Sequence, residues 1–145
     1  MKNYSVIGNS KEYGIGRLFI RFPFITPLGL ESSQIIDAKY CTYSLTANED
    51  TLELVRIMEE WCSLTGNWSN NYKLGERISS ELITGKELTY NITEGVKIWC
   101  DDSQGILEQH GLSMKSSDEE KEVYNIFLTN DNSLYPCRTE ITFKE

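Results

Sequence analysis

The most regular pattern of apolar and polar positions lies in residues 88–99, which read LTYNITEGVKIW. Leu88, Tyr90 and Ile92 alternate with polar side chains. Alternation with a period of two is typical of a strand that is buried on one face. The first part of this segment therefore predicts a strand.

At Thr93 the spacing of the apolar positions changes to that of a helix. Ile92, Val96 and Trp99 are separated by four and then three residues, which places them on one helical face. Thr93 suits the helix N-cap, and the negative charge of Glu94 suits the first turn. The pattern predicts one short helical turn near residues 94–99, with Trp99 closing over the core.

Alternating positions elsewhere predict further short strands, separated by turn residues. These strands cover residues 17–22, 36–43, 52–58, 111–115, 123–129 and 139–143. Ile36, Ala38, Tyr40 and Thr42 should share one face of their strand, with Tyr43 on the other. Residues 3–16 and 61–82 are interpreted as a glycine-rich turn region and a long loop.

Many short alternating strands with turns between them are typical of an all-β fold, an antiparallel β-sandwich or jelly roll. Neither a linker nor an internal repeat is evident, so residues 1–145 are interpreted as one domain. The predicted core takes apolar and aromatic residues from the inward faces. It consists of Phe22, Trp61, Tyr90, Ile92, Val96, Trp99 and Ile141.

Composition excludes several classes of partner. The 145 residues carry a formal net charge of -8, from 22 acidic and 14 basic side chains. A non-specific nucleic-acid binder needs a basic surface, and so does a protein that docks on an anionic membrane. No apolar run has the length of a membrane-spanning helix, and the first residues have no apolar signal region.

The four cysteines, Cys41, Cys62, Cys100 and Cys137, are widely spaced. They form no CxxC motif or Cys/His cluster, so a structural zinc site is not indicated. Two disulfides with any of three connectivities remain open. We expect reduced, partly buried thiols.

The sequence offers no catalytic constellation. His110 is the single histidine, and no nucleophile-elbow motif accompanies it. Adjacent carboxylates on a strand point to opposite faces, so neighbouring acidic pairs do not form a two-carboxylate glycosidase site. We therefore predict that the protein is not an enzyme.

Three oxygen-rich turns, at residues 48–50, 101–103 and 130–132, contain side chains that calcium accepts as ligands. None has the spacing of an EF-hand, and solvated turns are the simpler interpretation. We predict no cofactor and leave a structural calcium ion open.

Taken in order, these segments resemble the DNRLRE domain of bacterial extracellular and cell-wall proteins. The likeness covers nearly the whole chain. It includes VIGNSKEYGIGRLFIRF at residues 6–22, the strand 36–43, LELVRIMEEW followed by GNW with Trp61 and Trp68, residues 90–99, HGLSMKSSDE at 110–119, and ITF near the end. Cysteines directly after Trp61 and Trp99 depart from the family pattern.

The resemblance implies a non-catalytic β-sandwich whose relatives are classed among carbohydrate-binding modules. The expected function is binding of a polysaccharide or cell-surface glycan at or outside the bacterial cell surface. Sugar rings stack on exposed aromatic side chains. The candidates are Tyr43, Trp68, Tyr72 and Tyr135, and for each the alternative is packing in the core or a loop.

The family usually carries a strand before the segment that begins at Val6, and this sequence shows no counterpart of it. A missing strand leaves an open sheet edge, which invites pairing with another chain. The alternative function is therefore a self-associating building block or spacer of a surface fibre, adhesin or phage-like particle. In the monomeric alternative, residues 2–7 supply the strand locally.

Overall fold

The structure is a computed structural model that describes residues 4–12, 14–23, 25–60, 72–101, 110–128 and 137–145. Ten strands, one α-helix and two short 3₁₀ helices (Thr26–Leu28 and Ser32–Gln34) make up its regular structure in these ranges. The strands and the α-helix are β1 (Tyr4–Ser10), β2 (Gly14–Gly16), β3 (Leu18–Ile20), β4 (Ile35–Tyr43), β5 (Thr51–Ile57), β6 (Leu74–Leu82), β7 (Glu87–Asn91), α1 (Thr93–Asp101), β8 (Leu112–Ser116), β9 (Tyr124–Leu128) and β10 (Arg138–Phe143).

The strands form three antiparallel sheets, with the orders β2-β1-β9, β10-β4-β7 and β3-β8-β5-β6. An isolated bridge between Ser44 and Phe127 connects the ends of β4 and β9. The predicted all-β sandwich is confirmed. Within the described residues no helix is long and apolar enough to cross a membrane.

The core lies between the sheets, and all three sheets contribute to it. Ile7 and Phe127 come from the first, Tyr40 and Tyr90 from the second, and Leu54 from the third, and each is at most 4% exposed. Of the residues assigned to the core from sequence, the following are buried: Phe22, Tyr90, Ile92, Val96 and Trp99. Ile141 is half-buried and packs against this core, while Trp61 lies outside the described residues.

The predicted change from strand to helix at Thr93 is present, and β4 holds it in place. The Ile92 N–H donates to the Ala38 carbonyl at 2.9 Å, and the Thr93 hydroxyl accepts from the Ala38 N–H at 2.9 Å. The Asn91 side-chain oxygen accepts from the Thr93 N–H at 3.0 Å. Helix α1 is longer than the predicted turn and runs to Asp101.

Two segments that were predicted to be loops contain strands. Residues 4–10 and 14–16 form the hairpin β1–β2, and β1 pairs along its other side with β9. Residues 74–82 form β6, a nine-residue strand that pairs with β5. The loop prediction for β6 was wrong because β6 is an edge strand and most of its side chains are polar. It therefore lacks the apolar alternation of an interior strand.

One residue of β4 does not lie on the predicted face. Ile36 is 57% exposed, whereas Ile35 is 4% exposed. The register with β10 shifts at this point, because Phe143 pairs with Ile35 and Thr142 with Asp37. Ile36 is therefore the extra residue of a β-bulge, and a bulge turns the side chain to the other face.

Candidate functional site

The structure places the four predicted sugar-binding aromatic residues as follows. Tyr43 lies half-buried at the end of β4. Tyr72, just before β6, packs edge-on against Phe19 of β3, with ring centroids 5.1 Å apart. Tyr43 lies on the β10-β4-β7 sheet, whereas Tyr72 lies beside the β3-β8-β5-β6 sheet, so the two tyrosines do not form one platform. Trp68 and Tyr135 lie outside the described residues.

The surroundings of Tyr43 follow from the register of β10, β4 and β7. Lys39 pairs with Glu140 on one side and Asn91 on the other, Cys41 pairs with Arg138 and Thr89, and Tyr43 pairs with Glu87. Paired residues on neighbouring antiparallel strands project from the same face. Tyr40 and Ala38 alternate with these residues and point into the core. We call the outward set (Lys39, Cys41, Tyr43, Glu87, Thr89, Asn91, Arg138 and Glu140) the β4 outer face.

Three side chains at the centre of the β4 outer face are joined by hydrogen bonds. Arg138 donates from Nη1 to the Tyr43 hydroxyl at 3.4 Å and from Nε to Glu140 Oε2 at 3.0 Å. The side chains of Arg138 and Glu140 are 49% and 57% exposed. Arg138 thus holds the edge of the tyrosine ring while leaving donor positions at the surface, since a guanidinium has five N–H groups.

Both charged groups of this trio stay ionised at neutral pH. The hydrogen bond to Glu140, followed by that to Tyr43, raises the pKa of Arg138. The hydrogen bond and positive charge of Arg138 lower the pKa of Glu140. The face therefore presents a fixed cation and a fixed carboxylate beside an aromatic ring.

Cys41 fills the space beneath these side chains. It lies on the outward side of β4 and yet is only 2% exposed, because its neighbours on β10 and β7 cover it. Its thiol donates to Glu140 Oε2 at 3.7 Å and accepts from the Thr89 hydroxyl at 3.8 Å. Cys41 is therefore a packed support for Glu140 and Thr89.

Sequence reasoning found Tyr43 but missed Arg138 and Glu140. Glu140 lies on the predicted strand 139–143, whereas Arg138 directly precedes it and belongs to β10 only in the structure. Residues two apart on a strand share one face, but which strand this face neighbours depends on the register between β10 and β4. That register joins residues about a hundred positions apart, and alternation alone does not specify it.

The histidine and the described cysteines, whose side chains could react or bind a metal, are packed within the fold. His110 is 9% exposed, with Nδ1 3.7 Å from Glu60 Oε2. Cys137 lies 3.3 Å from the Thr42 hydroxyl on the inward side of the sheet. Cys41, Cys100 and Cys137 carry thiols that are not joined in disulfides, and Cys62 lies outside the described residues. Burial, with the charge of Asp101, raises the pKa of the Cys100 thiol.

In the part of the chain that the structure describes, no group of three or more His, Cys, Asp and Glu side chains is arranged to hold a metal ion. No protein-family model matches the chain, and no curated protein matches it significantly. The resemblance to the DNRLRE domain therefore stays a prediction.

Proposed function

We propose that the protein is a non-catalytic carbohydrate-binding β-sandwich module that acts at or outside the bacterial cell surface. In this proposal the β4 outer face holds the sugar. The observation that carries it is the trio of Tyr43, Arg138 and Glu140, in which a hydrogen-bonded aromatic side chain lies beside a paired guanidinium and carboxylate.

The chemistry of this trio suits a sugar. A sugar ring presents C–H groups on its face and hydroxyl groups around its rim. An aromatic ring offers apolar area to the face at a low entropic cost, because its side chain has only two rotatable torsions. The remaining N–H groups of Arg138 and the oxygens of Glu140 can donate to and accept from the hydroxyls. Convergent polar groups beside an apolar surface are the usual composition of a ligand site.

The charge state of Glu140 supports binding rather than glycoside hydrolysis. The general acid of a glycosidase needs a raised pKa so that it carries a proton at neutral pH. Arg138 has the opposite effect and lowers the pKa of Glu140. A carboxylate that stays ionised accepts hydrogen bonds from sugar hydroxyls and does not protonate a leaving group.

The test is a binding screen of the protein against a panel of neutral and acidic polysaccharides, followed by titration calorimetry of any ligand found. Tyr43→Ala and Arg138→Ala should each weaken binding about tenfold or more, which corresponds to about 1.4 kcal/mol. Tyr124→Ala is the matched control, because Tyr124 is 39% exposed on β9 and is not part of the β4 outer face. No binding in the screen, or equal binding by Tyr43→Ala and the control, would contradict the proposal.

The second candidate function is a structural building block that assembles by strand addition. It is favoured by β10, which is an edge strand of its sheet among the described strands. Two exposed apolar side chains lie at one end of this sheet, Phe143 on β10 (46% exposed) and Ile36 on the neighbouring β4 (57% exposed). An open edge presents N–H and C=O groups to another chain. Light scattering at high protein concentration distinguishes the two, because a binding module stays monomeric and a building block associates.

A further inference from the structure

Asp50, in the connection between β4 and β5, is a buried carboxylate at a fixed position. Asp50 is only 3% exposed. Its backbone carbonyl accepts from the Ile83 N–H at 2.9 Å. Side-chain oxygen Oδ1 accepts from the Thr51 N–H at 2.9 Å and from the Ser116 hydroxyl at 3.1 Å. The carboxylate is thus anchored from one side.

The second carboxylate oxygen, Oδ2, is buried and has no hydrogen-bond partner among the described residues. None of the ion pairs in the described ranges involves Asp50. Buried charges in proteins are paired, neutralised or coordinated to a metal. Coordination of a cation satisfies this oxygen and its charge together.

The Ser116 hydroxyl and the Asp118 carbonyl are linked to the Asp50 carboxylate by hydrogen bonds. The Ser116 hydroxyl lies 3.1 Å from Asp50 Oδ1 and 3.2 Å from the Asp118 carbonyl oxygen. Ser116 is fully buried, and its hydroxyl has one hydrogen for two acceptors. The Lys121 N–H also donates to the Asp118 carbonyl, at 3.2 Å. A carboxylate, a hydroxyl and a backbone carbonyl therefore lie side by side. These are the oxygen types that calcium takes as ligands.

We propose that Asp50, Ser116 and the Asp118 carbonyl form a calcium site, in which Asp50 Oδ2 supplies the charge and water completes the coordination. With one carboxylate, the affinity should fall near the weak end for calcium sites, with a dissociation constant of about 10⁻⁴–10⁻³ M, which is the range of extracellular modules. The proposal does not depend on carbohydrate binding.

Nearby charges are compatible with a bound cation. A basic group beside the site is the Lys115 ammonium, which donates to the Ser116 carbonyl at 3.1 Å. Its charge is balanced by Glu53 at 3.0 Å and Glu119 at 4.0 Å. Glu53 and Lys115 alternate with core residues along β5 and β8, so they lie on the opposite side of the sheet from Leu52 and Met114.

This site replaces one of the sequence-based interpretations. The turn at residues 48–50 was expected to be solvated, and Asn48 is exposed there, with its side chain donating to the Tyr124 carbonyl at 2.8 Å. Glu49 is exposed, whereas Asp50 is buried. Of the other two candidate turns, residues 102–103 and 130–132 lie outside the described ranges.

The experiment measures the melting temperature after treatment with a chelator and during titration with CaCl₂. At about 10 mM CaCl₂ the melting temperature should rise by about 3–6 °C, the shift expected for a site saturated about tenfold above its dissociation constant. Asp50→Asn should remove this rise. In the chelator, Asp50→Asn should melt at or above the wild-type temperature, because it removes an uncompensated buried charge, and in calcium the order should reverse.

Glu49→Gln is the matched control, since it removes a neighbouring exposed carboxylate and should keep the full calcium response. An equal shift with NaCl at the same ionic strength would mean general screening of the net charge, and an equal shift with MgCl₂ would mean that the response is not specific to calcium. Either result would overturn the calcium site. Retention of the calcium shift by Asp50→Asn would also overturn it. If Asp50→Asn does not fold, Ser116→Ala keeps the carboxylate and should weaken calcium binding several-fold by calorimetry; unchanged affinity would overturn the proposal.

Discussion

The hydroxyl of Tyr90 donates a 3.1 Å hydrogen bond to the backbone carbonyl of Leu52. Tyr90 belongs to β7 and Leu52 to β5, so this bond connects the two facing sheets through the core. Both residues are fully buried. The phenol therefore fixes how the two layers lie against each other, in addition to filling space between them.

Replacing Tyr90 with Phe should lower the free energy of unfolding by about 1–2 kcal/mol. The substitution keeps the ring but removes the donor, and a buried carbonyl that loses its partner carries that cost. Chemical denaturation of Tyr90→Phe and wild type measures this difference in the free energy of unfolding. Tyr124→Phe, at an exposed position, is the control and should be neutral. An equally neutral Tyr90→Phe would show that the Leu52 carbonyl is satisfied without it.

The packing of these two sheets should lose stability at alkaline pH. Burial, followed by the charges of Glu81 and Asp50, raises the pKa of Tyr90, and burial, followed by the charge of Cys137, raises that of Tyr40. An unfolded tyrosine ionises near pH 10. The stabilisation is therefore complete below about pH 10 and is lost as the pH rises further. From pH 8 upwards, the free energy of unfolding should decline less steeply with pH in Tyr90→Phe than in wild type.

Trp99 should be a core residue whose truncation is costly. It is 5% exposed and its ring lies 5.2 Å from that of Phe22, tilted by 31°. Removing a buried aromatic side chain typically costs about 3–5 kcal/mol. Trp99→Ala should therefore melt far below wild type, and Trp99→Phe should recover part of the loss. A Trp99→Ala protein with a near-native melting temperature would contradict the position of α1 against the core.

The ion pair of Arg17 with Glu119 should make the fold sensitive to acid. Arg17 donates from Nε and Nη2 to the two Glu119 oxygens at 2.8 and 2.7 Å, and both side chains are largely buried. Burial raises the pKa of Glu119, but the hydrogen bonds and charge of Arg17, with Lys115, outweigh it and lower the pKa. The stabilisation is therefore present above the unfolded value, near pH 4.3, and lost as the pH falls below it.

Glu119→Gln should cost about 1.5–3 kcal/mol at neutral pH, the usual value of hydrogen bonds to charged groups. It should also flatten the loss of stability between neutral pH and acid. The neighbouring exposed Glu120→Gln is the control and should change neither quantity. Parallel acid profiles for Glu119→Gln and wild type would rule out this ion pair as the source of the acid sensitivity.

Local patterns predicted the parts of the fold that depend on periodicity. Ile92, Val96 and Trp99 share a helical face in the sequence, and all three are buried in the structure. Strand β6 escaped prediction because it borders its sheet and its side chains are mostly polar. The exposure of Ile36 depends on a bulge, and alternation alone does not reveal a bulge.

The candidate sites required information that only the fold contains. Tyr43 was found from its place on the outward face of a strand, but Arg138 reaches it through the register of β10 with β4. Asp50 looked like part of a solvated turn until Ser116, 66 positions away, was seen to donate to it. Such long-range pairings are not encoded in local spacing.

The central claim is that the β4 outer face binds carbohydrate. Its most direct test is a titration of isotope-labelled protein with the polysaccharide that binds best in the screen, followed by amide chemical shifts in NMR. The largest shifts should fall on Tyr43, Cys41, Arg138 and Glu140, and they should disappear in Tyr43→Ala. Shifts that cluster around Tyr72 and Phe19 instead, or no shifts with any polysaccharide of the panel, would contradict the claim.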